Sequence, residues 1–77
     1  MQDKQLLSAF HKAGAVAGRD DLRNGMTYDQ EFAYEEADAI AAAYARDEGL
    51  PKNLIRDLAS EWLSGYQETY ASQVHAD

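Results

Sequence analysis

The chain has 77 residues and a formal net charge of −7. Hydrophobic residues make up 45% of it, and it contains no Cys. This length and composition predict one small folded domain rather than a disordered chain, and exclude disulfide or thiolate chemistry. The negative charge argues against direct binding to nucleic acid or to an anionic membrane. No apolar run is typical of a signal peptide or a membrane span, so we expect a cytoplasmic protein, in the host cytoplasm if it is viral.

The first predicted helix covers residues 3–18. Asp3 can serve as its N-cap. Its apolar stripe consists of Leu6, Leu7, Phe10, Ala13 and Ala17. Gly14 is expected to mark the close approach of another helix, and Gly18 to end this one. A polar loop follows, in which Asn24-Gly25 is a turn signal.

The second predicted helix covers residues 28–48. Thr27 and Gln30 have the spacing of a capping box at its start. Its expected buried side consists of Phe32, Ala33, Ala37, Ile40, Ala41, Ala43 and Tyr44. Gly49 fits the left-handed position after the last turn, and Leu50 is expected to fold back as in a Schellman cap.

The third predicted helix covers residues 51–71 and leaves a frayed tail at residues 72–77. Pro51 suits its first turn, where no amide hydrogen is needed. Its core positions are Ile55, Leu58, Ala59, Trp62, Tyr66 and Tyr70. Trp62 is expected to form the core with Phe10 and Phe32. The predicted fold class is therefore all-α, a single domain of three helices joined by short loops.

Acidic residues gather on two predicted helix faces. Glu31, Glu35 and Asp38 follow one another at i, i+4 and i+7, and we call them the first acidic stripe. The second acidic stripe has the spacing i, i+4 and i+11 and consists of Asp57, Glu61 and Glu68. No Lys or Arg interrupts either stripe. Like charges four residues apart weaken a helix, so the stripes indicate either a surface for a basic partner or a face that only keeps the protein soluble.

Tyr34 lies within the first acidic stripe, beside Glu35. We expect it to face solvent, where its ring can stack on an Arg or Lys that the carboxylates bind. The alternative is that Tyr34 only borders a small core.

Residues 20–31 nearly match the calcium-binding loop of an EF-hand. The matching positions are Asp20, Asn24, Gly25 and Glu31. Leu22 and Tyr28 occupy positions that require oxygen ligands, and Arg19 and Arg23 add positive charge. A plain turn between helices is therefore the favoured interpretation of this segment. Weak calcium binding ranks a distant third among the possible functions, behind the two given at the end of this section.

Other chemistry has little support in the residues. His11 has no second His or Cys at ligand spacing, and the Ser residues have no base pattern near them. No Gly-rich phosphate loop is present, and three short helices rarely form the pocket that a pair of catalytic carboxylates needs. We therefore expect no metal, no cofactor and no enzymatic activity.

Two segments with paired small residues invite comparison with a known family. Ala13-Gly14 and Ala17-Gly18-Arg19, followed later by Trp62-Leu63-Ser64-Gly65-Tyr66, resemble the two helices of ribosome modulation factor-like proteins. That family is basic and binds RNA, whereas this chain is acidic and has an additional acidic helix between the segments. We keep only the physical expectation that Gly14 and Gly65 let the first and third helices approach closely.

These features predict a small acidic interaction protein that is not an enzyme. We expect it to be an inhibitor or regulator that occupies the basic surface of a nucleic-acid-binding protein or complex, partly by imitating phosphate charge. Small viral or mobile-element proteins that block host nucleases or transcription would suit this size and charge. The alternative is a structural adaptor or homodimer with apolar contacts through Leu63, Tyr66, Tyr70 and Val74.

Overall fold

A computed structural model describes residues 2–75 of the chain, with side chains for residues 4–72. These residues form three α-helices: α1, Gln2–Arg23; α2, Gln30–Glu48; and α3, Lys52–His75. No strand occurs in the described part of the chain. The predicted all-α, three-helix fold is therefore confirmed.

Helix α3 is the central element, and both other helices pack along it. Contacts between α1 and α3 advance in the same direction along both helices. His11 of α1 contacts Glu61 of α3, and Met26, just after α1, contacts Tyr70, which lies further along α3. The two helices therefore run parallel. Helix α2 runs antiparallel to α3, and its contact with α1 includes the edge-to-face pair of Phe10 and Tyr44, whose ring centroids are 5.2 Å apart.

The crossing of α1 and α3 depends on glycine. A Cβ atom on Gly14 would lie 1.8 Å from the carbonyl oxygen of Trp62, and one on Gly65 would lie 2.0 Å from that of His11. The two backbones therefore touch, as expected for this glycine pair. Next along the crossing, the Thr69 hydroxyl lies 3.1 Å from the carbonyl oxygens of both Ala15 and Gly65.

The prediction that Gly18 ends the first helix is wrong. Helix α1 continues to Arg23, and Gly18 is buried against α3, where a Cβ would lie 3.0 Å from the Thr69 Cβ. Gly25 ends the helix instead, with φ of 81°. The amide of Gly25 donates to the Leu22 carbonyl and that of Met26 donates to the Asp21 carbonyl. This pair of hydrogen bonds is that of a Schellman cap, so the Asn-Gly turn signal marked the helix end.

The other helix ends are mostly near their predicted positions. Asp29, rather than Thr27, is the N-cap of α2, and its carboxylate accepts a hydrogen bond from the Phe32 amide. Gly49 has φ of 67°, and the Leu50 amide donates to the Ala45 carbonyl, which confirms the predicted cap. Helix α3 begins at Lys52, just after Pro51. It extends to His75, four residues beyond its predicted end at residue 71, and residues 76–77 lie outside the described part.

Aromatic residues of α3 form the centre of the core. Trp62 is only 3% exposed and stacks on Tyr66, with ring centroids 5.2 Å apart. The buried cluster comprises Phe10, Ala33, Ala37, Ala41, Leu58, Ala59, Trp62, Leu63, Tyr66 and Tyr70. The predicted burial of Trp62 and Phe10 is confirmed.

The predicted burial of Phe32 is wrong, because its side chain is 41% exposed. The buried face of α2 is a row of alanines four residues apart: Ala33, Ala37, Ala41 and Ala45. This narrow row lets α2 approach α3 closely. Phe32, one residue before the row, is rotated away from α3 and faces solvent. Ala13 and Tyr44, also expected on buried faces, are exposed as well.

Candidate functional site

The first acidic stripe lies on a solvent-facing side of α2. Glu31, Glu35 and Asp38 are all exposed, whereas the alanine row, on another side of the helix, faces α3. Among the described side chains, no Lys or Arg lies within 4.0 Å of a carboxylate oxygen. The carboxylates of the first acidic stripe therefore have no cationic partner within the described part of the chain.

Tyr34 faces solvent, as predicted, with 47% of its surface exposed. It lines a groove of about 510 Å³ between α2 and α3. Asp38 lies on the α2 wall of this groove, whereas Lys52 and Arg56 lie on the α3 wall. The floor is apolar and includes Ala37, Ile55, Ala59 and Leu63. One side of the first acidic stripe thus borders a groove with mixed charge.

The second acidic stripe has a different environment, because His11 of α1 lies against it. The Nδ1 atom of His11 is 3.4 Å from Glu61 Oε1, and its Nε2 atom is 3.4 Å from Glu68 Oε2. These two contacts are ion pairs only when His11 is protonated. Asp57, the third member of the stripe, is exposed.

Sequence reasoning missed this three-residue contact and considered His11 only as a metal ligand without a partner. The signal that could have revealed it is the glycine pair. Gly14 lies three residues after His11, and Gly65 lies between Glu61 and Glu68. Once α1 and α3 touch at these glycines, the side chains beside the crossing must meet.

The two acidic stripes do not form one surface. Glu61 and Glu68 lie on the side of α3 next to α1. Asp38 lies beside the groove on another side of α3, which carries Arg56 and Ala59. A flat partner surface would therefore contact one stripe more closely than the other.

An apolar surface that the sequence did not predict lies at the loop between α1 and α2. A groove of about 620 Å³ is lined by Leu22, Met26, Thr27, Tyr28, Gln30, Gln67, Tyr70 and Ala71. The Tyr28 hydroxyl accepts a hydrogen bond of 2.9 Å from Gln67 Nε2, and the Tyr70 hydroxyl donates to the Met26 carbonyl at 3.1 Å. These bonds attach the loop to α3 and fix the shape of the groove.

The near-EF segment does not form a calcium-binding loop in this structure. Asp20 lies within α1, and its carbonyl accepts a hydrogen bond from the Asn24 amide. Glu31 lies in the first turn of α2, so only residues 24–29 connect the helices. The described residues contain no group of three or more side chains placed to hold a metal ion.

One partly buried polar contact supports the fold at the same end of the molecule. The Tyr66 hydroxyl donates a hydrogen bond to the Asp21 carboxylate, which joins α3 to α1. Burial of the ring, reinforced by this hydrogen bond, raises the pKa of Tyr66 well above its ordinary value of 10.0. Tyr66 therefore stays protonated and acts as a structural donor.

The apolar stripe behind the alternative function is mostly covered within the chain. Leu63, Tyr66 and Tyr70 are all buried in the core. The side chain of Val74 lies outside the described part. An apolar adaptor would therefore need a different contact surface from the one predicted.

Comparisons with known proteins give no match: no family model, no curated protein and no solved structure is significantly similar to this chain. Within the described residues, no helix combines the length and the apolar character needed to cross a membrane.

Proposed function

We propose that this protein is a small acidic inhibitor or regulator that binds the basic, nucleic-acid-binding surface of a partner protein. The observation that carries the proposal is the exposure of Glu31, Glu35 and Asp38 on one side of α2 without a Lys or Arg within 4.0 Å among the described side chains. Unpaired carboxylates on one face attract a row of Arg or Lys and discriminate against acidic partners.

The spacing of the first acidic stripe permits a partial imitation of phosphate charge. Residues four and seven apart on a helix are separated by about 6 Å and about 10.5 Å along its axis. Duplex DNA carries one charge per about 1.7 Å of its axis, so the stripe presents a sparser row of charge. It can engage several cations of a nucleic-acid-binding groove without reproducing the full density of a duplex.

Tyr34 adds an aromatic ring to this surface. Its exposed ring lies on the same helix as the three carboxylates and next to Glu35. A guanidinium group can stack on such a ring while a neighbouring carboxylate accepts its hydrogen bonds. The second acidic stripe has a supporting role in the proposal, because two of its members already contact His11.

The proposal can be tested by charge reversal with a matched control. The partner is first identified by affinity capture from the native host and then purified. The test variant carries Lys at Glu31, Glu35 and Asp38, and the control variant carries Lys at Asp20, Asp47 and Glu48, which are exposed elsewhere. Both variants change the net charge by the same amount, so only the position of the charges differs. Affinity is measured at low and physiological salt.

We expect the test variant to lose affinity by several kcal/mol, because opposite charges at the interface become like charges. The control should lose much less, and wild-type binding should weaken as salt increases. If the partner binds nucleic acid, a DNA duplex should compete with the wild-type protein. Equal affinity of all three proteins without salt dependence would refute the proposal and favour the apolar adaptor.

A further inference from the structure

Three large apolar side chains gather at the surface of the loop between α1 and α2. Met26 is 42% exposed and Tyr28 37% exposed, and the exposed Phe32 follows in the first turns of α2. We call these three residues the loop patch. Met26 lines both the groove of about 620 Å³ described above and a second one of about 430 Å³ that reaches Phe32. The loop patch is thus one continuous surface.

The fold does not explain why Met26 and Phe32 are apolar. The alanine row supplies the contact of α2 with α3, and Phe32 lies outside it. Each square ångström of apolar surface left in water forgoes about 25 cal/mol of burial free energy. Contiguous exposed apolar surface with a concave shape is typical of an interaction site, and Met adapts to varied partner shapes.

The charge around the loop patch indicates what it binds. Residues 24–45 contain five carboxylates and no Lys or Arg. Three of these carboxylates, on Asp29, Glu35 and Glu36, lie three or four positions from Phe32, which are its neighbours on a helix surface. All three are exposed. The apolar surface therefore has an anionic border that favours an apolar partner segment with flanking cations.

We propose that the loop patch is the docking site for a basic amphipathic segment of the partner protein. Apolar side chains of that segment would occupy the groove, while its Lys and Arg residues pair with the carboxylates around Phe32. A second copy of the chain fits less well, because it would bring its own net charge of −7 to the same interface. This inference rests on the proposed function and specifies the chemistry of the partner.

The test uses defined peptides, so it does not depend on identifying the partner. The first is a labelled Leu/Lys peptide of about 18 residues, roughly five helical turns, with all Leu on one face. The second has the same composition in an order that abolishes the apolar face. The protein variants are Met26→Ser with Phe32→Ser, and Val16→Ser as the control, because Val16 is an exposed apolar residue elsewhere, on α1. Affinity is measured by fluorescence anisotropy, and melting temperature confirms folding.

We expect the amphipathic peptide to bind the wild-type protein about tenfold more tightly than the reordered peptide. The double Ser variant should lose roughly that tenfold advantage, whereas Val16→Ser should keep it. The inference would be overturned if the wild-type protein bound both peptides equally or bound neither of them. It would also be overturned if the double Ser variant bound the amphipathic peptide as tightly as the wild type does. Sedimentation that shows a wild-type dimer and a monomeric double variant would also overturn it, since a second copy would then cover the patch.

These outcomes are distinguishable from failure of the proposed function. If both peptides bind equally and with strong salt dependence, the acidic surface still binds cations and only the docking inference fails. The charge-reversal experiment with the captured partner tests the proposed function separately, because unchanged affinity after reversal would refute that function whatever the two peptides show.

Discussion

The carbonyl oxygen of Trp62 packs against Gly14 so closely that a methyl group on Gly14 would lie 1.8 Å from it. The same contact brings Trp62 into the core, where it is buried and stacked on Tyr66. Helix α1 therefore reaches α3 through backbone contact rather than through a layer of large side chains. Van der Waals contact along the touching backbones stabilises this pairing.

Substitution of Gly14 or Gly65 by Ala should be strongly destabilising. Ala favours a helix over Gly by about 1 kcal/mol, but here its Cβ would overlap a backbone carbonyl and force the helices apart. We expect a net loss of about 3 kcal/mol, the upper end for overpacking. Gly18→Ala is the control: its Cβ contacts would be 3.0 Å and longer, so stability should change by less than about 1 kcal/mol. Urea unfolding curves measure all three, and equal effects would contradict the close crossing.

Trp62→Ala should cost about 3–5 kcal/mol, the usual range for truncation of a buried aromatic residue, and can unfold so small a domain. Before any substitution, the fluorescence of the wild-type protein tests the placement of this single Trp. We expect an emission maximum clearly shifted to shorter wavelength than that of free tryptophan, with a return to the free value in denaturant. Emission like that of free tryptophan in the folded protein would place Trp62 outside the core.

Tyr66→Phe should cost about 1 kcal/mol, because it removes the donor to Asp21 while that half-buried carboxylate can regain water. Tyr66 also predicts behaviour at high pH. The pKa of Tyr66 is raised in the folded state. Its contribution to the free energy of unfolding is therefore complete at any pH below its ordinary pKa of 10.0, and is lost as the pH rises above that value. Melting temperatures across this range should fall less steeply for Tyr66→Phe than for the wild type. An equal slope in the two proteins would contradict this role of Tyr66.

The sequence predicted the fold where local signals and packing agree. Gly49 ends α2 because only a residue tolerant of positive φ fits there. Gly14 and Gly65 were expected to permit a close approach of α1 and α3 because neither carries a side chain, and both lie at the crossing. Gly18 was wrongly read as a helix end because a helical glycine at a crossing and a terminal glycine look alike in sequence. Phe32 was wrongly placed in the core because hydrophobicity suggested burial, whereas the alanine row permits closer helix packing.

The candidate site was predictable only in part. The exposure of the first acidic stripe follows from periodicity, since Glu31, Glu35 and Asp38 share a side of α2. The contact of His11 with the second acidic stripe depends on how two distant helices cross, which periodicity within one helix does not contain. The loop patch includes Phe32, which was predicted to be buried, so this surface was found only in the structure.

Calcium should change neither the helicity nor the melting temperature of this protein. Asp20 lies within α1 and Glu31 within α2, so the two residues at the ends of the near-EF segment are held by helices. Leu22 and Tyr28 offer no suitable ligands at their positions. The measurement is circular dichroism at millimolar calcium, with magnesium as the control cation. A calcium-specific rise of several degrees that a chelator reverses would show a site in this loop.

The last prediction concerns how the two acidic stripes share the binding of a basic partner. Neutralising the first acidic stripe with Gln, Gln and Asn should reduce affinity more than neutralising the second, although both changes remove three charges. The reason is that Glu61 and Glu68 already contact His11 and must exchange that contact for the partner, whereas the first acidic stripe has no such competitor within the described residues. In a His11→Ala background, neutralising the second acidic stripe should therefore cost more affinity than it does in the wild type. The salt dependence should weaken most when the first acidic stripe is neutralised. A larger effect from the second acidic stripe, unaffected by His11→Ala, would show that the partner binds the α1–α3 side instead.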